Sequence, residues 1–195
     1  MYRLYAIFGL GVLLWACNPK VSDSAQASAE AAVESAGQMG SFPDAWVGTW
    51  VGALDIYRGT KKLQSVPMEI QIGANDGRGR YSWTSTFLGK DTIVKPYELQ
   101  TIDAAAGKYV MDEKNSIKIE SYLHDQKLVS WFEVQGSLIS ATYEIINGQL
   151  VFEILAGSDK EVSTTGGTQF EGEDIPPVRS FPIGTMQRGV LTKKN

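Results

Sequence analysis

His124 is the chain's single imidazole, and with Asp125 beside it the pair has the residue types of a general base and its orienting carboxylate. A nucleophile would have to come from elsewhere in the fold, because no serine sits in a Gly-x-Ser-x-Gly elbow. The pair falls at a predicted turn, and a solvated turn histidine is the expectation. Asp76, in the run Asn75-Asp76-Gly77-Arg78-Gly79, and Glu171, Glu173 and Asp174 supply oxygens of the kind calcium takes. Neither stretch has the ligand spacing of a calcium loop, so they read as solvated turn acids and no metal site is expected. Cys17 is the only cysteine, which removes disulfides, thiolate zinc sites and iron–sulfur ligation as properties of this chain alone. Trp83, Trp131 and Tyr143 stand in the middle of predicted strands, where rings either line a pocket or fill a core. With no catalytic constellation in sight, a non-enzymatic role without a cofactor is the expectation.

The 195 residues are 43% hydrophobic and 21% charged, which suits one ordinary domain of roughly 100–200 residues with a core of its own. Eighteen Lys and Arg stand against 22 Asp and Glu, a formal net charge of −4. The basic field that holds nucleic acid is therefore missing, and no nucleic-acid partner is expected.

The beginning of the chain differs from the rest. Arg3 supplies the only charge before an unbroken apolar run from Leu4 to Ala16, and Cys17 follows at once. The run is shorter than the roughly 20 residues of a membrane-spanning helix and has the outline of a signal peptide. Leu14-Trp15-Ala16-Cys17 resembles the lipobox of bacterial lipoproteins, with an aliphatic residue three before the cysteine and a small one directly before it. That resemblance implies removal of residues 1–16 and lipidation of Cys17, hence a membrane partner and a place in the cell envelope. Asn18 after the cysteine resembles lipoproteins sorted to the outer membrane. Residues 17–43 are rich in Ala, Ser, Glu and Gln and lack an apolar stripe, so they read as a flexible tether. About 25 such residues would hold a domain on the order of 25–30 Å from a bilayer.

From residue 44 onward the pattern is all-β. Asn147-Gly148 between Ile146 and Gln149 is a strong two-residue hairpin signal. Gln135-Gly136, Asp125-Gln126 and Lys114-Asn115 punctuate the sequence before it at the spacing of a meander. Alternation in the intervening runs puts Leu128, Ser130 and Phe132 on one face and Val129, Trp131 and Glu133 on the other. Upstream, Val47–Tyr57, Leu63–Ile72, Arg80–Phe87, Thr92–Thr101 and Lys108–Met111 read as strands, and Thr185–Thr192 as a last one. Ser158–Pro177, polar and Gly-rich, reads as a long surface loop. With no helix to cover an edge, an antiparallel up-and-down β-barrel of 8–10 strands leaves no unpaired rim. A β-sandwich is the alternative.

Trp46-x-Gly48-x-Trp50 resembles the opening of the calycins, the lipocalins and fatty-acid-binding proteins. The resemblance implies a lipocalin-like barrel in which the Gly admits a tight passage of the chain and Trp50 plugs one end. It further implies an Arg from the final strand stacked on that Trp, and Arg188 is the residue in place to supply it. No Thr-Asp-Tyr-like second lipocalin motif is present, the Arg58–Lys62 connection is too short for lid helices, and Val190 replaces the Tyr of an Arg-x-Tyr carboxylate clamp. Two roles follow for such a barrel. It either holds a small apolar ligand, with Trp83, Trp131 and Tyr143 as candidate lining, or is filled by its own side chains and meets an envelope protein or glycan through Ser158–Pro177.

Overall fold

The structure is a computed structural model that describes residues 41–194. The expected signal segment 1–16, Cys17 and the expected tether through residue 40 lie outside the described residues. Alternating polar and apolar residues divided by turn residues build nine consecutive strands: β1 (Gly48–Arg58), β2 (Lys61–Ile72), β3 (Arg80–Leu88), β4 (Thr92–Asp103), β5 (Lys108–Asp112), β6 (Lys118–His124), β7 (Lys127–Val134), β8 (Ser137–Ile146) and β9 (Gln149–Ser158). Four short strands follow, β10 (Ser163–Thr165), β11 (Thr168–Phe170), β12 (Glu173–Ile175) and β13 (Val178–Ser180), and then β14 (Thr185–Lys193). The only helical element among the described residues is the single 3-10 turn Asp44–Trp46.

Strands β1 to β9 pair antiparallel in chain order, and β14 inserts between β9 and β1 to close the barrel. The expected up-and-down barrel is therefore present with ten strands. A sandwich would leave four open edges, whereas here every barrel strand has a neighbour on both sides. Asn147 (φ 51°) and Gly148 (φ 75°) adopt positive φ together, as the type I′ turn demands.

The segment after β9 departs from the expected loop. β10 pairs with β13 and β11 with β12, so residues 163–180 form one exposed hairpin. Gly166-Gly167 and Pro176-Pro177 interrupt the ladder, since Pro has no N–H to give it.

The lower end, where β1 begins and β14 finishes, is plugged. Trp46 and Trp50 are 1% and 3% exposed, and the Trp50 indole N–H donates to the Trp46 carbonyl at 2.9 Å. Phe42, at the end of the expected tether, packs edge-on against Trp46 (4.6 Å) and Tyr109 (5.0 Å). The Tyr81 hydroxyl donates to the Asp44 carboxylate at 2.9 Å and accepts from the Asn75 amide at 3.1 Å, tying the 3-10 turn to the barrel wall. Gly48 has φ 139°, and a Cβ there would stand 2.6 Å from Lys193 Cε. Both facts favour glycine in the middle of Trp46-x-Gly48-x-Trp50.

The cation over the Trp50 ring is Lys193, its Nζ 5.3 Å from the centroid, and this corrects the expectation for Arg188. The cause is parity. Leu191 and Gly189 face the interior, so Lys193 shares their phase and pairs with Trp50 across the β1–β14 junction. Arg188 is one residue out of phase, lies outside and approaches Glu153 at 3.7 Å. Trp50→Ala is expected to cost about 3–5 kcal/mol in urea unfolding. Lys193→Ala, at an exposed cation–π contact, should cost less than ~1 kcal/mol. Gly148→Val should cost about 1 kcal/mol or more, because a β-branched residue resists positive φ.

Candidate functional site

Inside the barrel, successive strands contribute every second residue. The lower and middle layers are filled. Ile70, Ile72, Trp83, Leu99, Leu150 and Leu191 are each at most 1% exposed, and the Ser121 and Ser130 hydroxyls satisfy each other at 2.7 Å. Above them the packing stops. A cavity of about 230 Å³ opens between β3, β4, β5 and β6 on one side and β7, β8 and β9 on the other.

Its wall is mostly apolar. Phe87, Phe132 and Phe152 bring rings, and Met111, Ile119 and Ile154 bring aliphatic surface. The polar groups are few: the hydroxyls of Ser85, Ser130, Tyr97 and Tyr143, the Glu113 carboxylate, and Lys95 at the exposed rim. The opening on this side follows from strand lengths. β5 stops at Asp112, so the β4 residues before Glu98 pair with β3 alone. Lys95 and Tyr97 stand on that unaccompanied stretch, and Glu113 directly follows β5.

Tyr143 lies at the floor. Its ring stacks on Phe152 (4.5 Å, 17°) and meets Trp83 edge-on at 5.0 Å. Burial pushes its hydroxyl pKa well above the usual tyrosine value, with the charges of Tyr97 and Glu113 adding to the rise and the Trp83 N–H opposing it. That N–H is buried and completes no hydrogen bond of normal geometry. Burial likewise pushes Tyr97 up to about 12, helped by the charge of Glu113 and by hydrogen bonding to it. Both phenols are therefore neutral across the physiological range.

Of the three rings expected to line a pocket, Tyr143 does so, and Trp83 is fully buried behind it. Trp131 is 69% exposed, a correction with the same cause as that for Arg188, since Phe132 and Ser130 occupy the inward phase of β7. Outside the barrel Trp131 instead borders an apolar groove of about 250 Å³ with Leu138, Leu155, Phe181 and Ile183.

His124 is exposed at the end of β6, beside Asp125 in a tight turn (φ 54°). Asp76 spends its carboxylate on its own loop, accepting from the Arg78 N–H at 2.8 Å and the Arg80 N–H at 3.3 Å. Glu171, Glu173 and Asp174 lie at the exposed hairpin tip. Among the described residues no three His, Cys, Asp or Glu side chains converge as metal ligands would. The residues missed in the sequence include Phe87, Tyr97, Glu113, Phe132 and Phe152. Tyr97 shares the phase of the core residue Leu99 on a predicted strand, which was signal enough, whereas Glu113 lies past the predicted end of its strand.

No protein-family model and no curated protein sequence matches the chain. Among solved structures, a protein of unknown function from the DUF3598 family of Nostoc punctiforme is similar over 76% of this chain and 47% of its own, with 14% identity and a TM-score of 0.48. This chain thus spans about half the length of that protein, 47%. An S-type phycobiliprotein lyase from Guillardia theta is similar over 76% of this chain and 88% of its own, with 11% identity and a TM-score of 0.49. Likeness at this level passes no function across, and the barrel stands on its own strand pairing.

A pH dependence follows from the two phenols. A tyrosine whose pKa is higher in the folded than in the unfolded chain stabilises the fold fully below the unfolded value and ceases to do so as pH rises through the folded value. Stability is therefore expected to fall from about pH 10, the unfolded value, through the folded value near 12 for Tyr97. Urea unfolding followed across that range should show a smaller fall for Tyr97→Phe than for the unaltered chain.

Proposed function

We propose that this protein is a non-enzymatic, lipid-anchored component of the bacterial cell envelope whose calycin-like barrel binds a small ligand of largely apolar character. The cavity above the Tyr143–Phe152 stack carries the reading. A barrel that served only as a scaffold would gain from filling that space, because empty volume forfeits dispersion and burial energy. The wall is apolar with a few convergent polar groups, the usual makeup of a small-molecule site. At about 230 Å³ it is smaller than the roughly 300–1,000 Å³ of drug-sized sites, so its ligand has the bulk of one ring or a short chain. The lipobox-like Leu14-Trp15-Ala16-Cys17 and the apolar run before it support the anchor, and Asn18 supports the outer membrane.

A second reading, a module that meets a protein or glycan partner, draws on the groove beside Trp131 and on the exposed hairpin 163–180, where Phe170 is 65% exposed. It takes second place because the interior is not filled.

Two measurements test the proposal. Calorimetric titration of the full chain with neopentylbenzene, a neutral hydrocarbon of suitable size, should show saturable binding that Ala141→Phe abolishes by placing a ring in the cavity. Binding that survives Ala141→Phe in a folded protein would locate the site elsewhere. In a bacterial host, Cys17→Ser should lose both the added lipid mass and membrane attachment; retention of both would overturn the anchor.

A further inference from the structure

We infer that the barrel cavity selects an organic cation, a quaternary or protonated amine carried on a small apolar body. The inference rests on the cavity being a ligand site, as proposed above, and adds the charge of what it holds. Rings from five strands border the space: Phe87 of β3, Tyr97 of β4, Phe132 of β7, Tyr143 of β8 and Phe152 of β9. The face of an aromatic ring is the negative end of its quadrupole, and a cation among several such faces, away from water, is held much as in the aromatic cages that bind quaternary ammonium groups. Rings alone would also suit a neutral hydrocarbon.

Glu113 separates the two cases. Its side chain lies in the cavity wall and is partly buried. Its carboxylate accepts from the Asn115 amide at 3.2 Å and interacts with the Tyr97 hydroxyl, both uncharged donors. No ion pair involving Glu113 occurs among the described residues, although Glu98, Asp112 and Glu144 around the outer wall each have a lysine partner. A partly buried carboxylate beside an apolar space, stabilised by neutral donors and left without a counter-ion, is poised for a cationic ligand. Its field reaches the floor, where it contributes to holding the Tyr143 hydroxyl protonated. Lys95 is the other charge on the wall, but it is exposed at the rim, where water and salt screen it more than they screen Glu113. An anionic headgroup would be repelled by Glu113, the less screened of the two charges. A long acyl chain exceeds the volume.

The test compares benzyltrimethylammonium with neopentylbenzene, which differs in having carbon in place of the charged nitrogen. Calorimetric titrations of the full chain are expected to give the cation at least about tenfold tighter binding than its isostere, and phenylacetate none. Glu113→Gln should weaken the cation about tenfold and leave the hydrocarbon unchanged. Where Glu113→Gln fails to fold, Phe132→Leu removes one ring face while retaining apolar bulk, and a loss of about threefold confined to the cation is expected. Equal affinities for cation and isostere, or losses from either variant that are equal for both, overturn the inference and leave the cavity a ligand site. Absence of binding by every probe overturns the inference together with the reading on which it rests.

Discussion

The pairing of β1 with β14 is the junction on which the rest of the barrel depends. Eight residue pairs, from Trp50 opposite Lys193 to Tyr57 opposite Met186, convert a meander with two raw edges into a wall with none. The approach is close. A Cβ on Gly52 would lie 2.3 Å from the Val190 carbonyl oxygen, so the first and last strands meet where one of them has no side chain. The junction also fixes parity for both strands, placing Trp50 and Leu54 beside Leu191 in the interior. A slip of one residue would exchange inside for outside along the strand that moves.

With closure secured, the interior divides by residue size. Tryptophans and branched aliphatics fill the lower and middle layers, while Ser85, Ser130 and Ala141 among the upper positions leave room between the phenylalanines. The same shortness of β5 that exposes Lys95 sets Glu113 at the wall instead of in a strand. Volume, access and charge in the upper barrel thus trace to two local choices, small side chains on inward positions and one truncated strand.

Much of this was legible in the sequence because strands announce themselves by local rules. Positive φ at Asn147 and Gly148, the alternation through Leu128 and Phe132, and the spacing of turns gave boundaries within a few residues of those observed. Parity alone decides two positions: the alternation that puts Phe132 inside puts Trp131 outside, and the phase of Leu191 selects Lys193 over Arg188. Glu113 was not legible, since its position depends on where β5 stops relative to β4 and β6, a matter of non-local register. The ladder within residues 163–180 was hidden for another reason. Its strands are three residues long and bury nothing, so neither hydrophobic period nor composition marks them.

The two ends of the described chain lie together at the plugged end, where Phe42 joins the aromatic cap and the Lys194 N–H donates to the Thr49 carbonyl at 2.7 Å. The cavity opens at the opposite end. The described chain thus enters and leaves the barrel by its base. Its mouth faces away from both ends of the described chain, and traffic to and from the interior need not pass them.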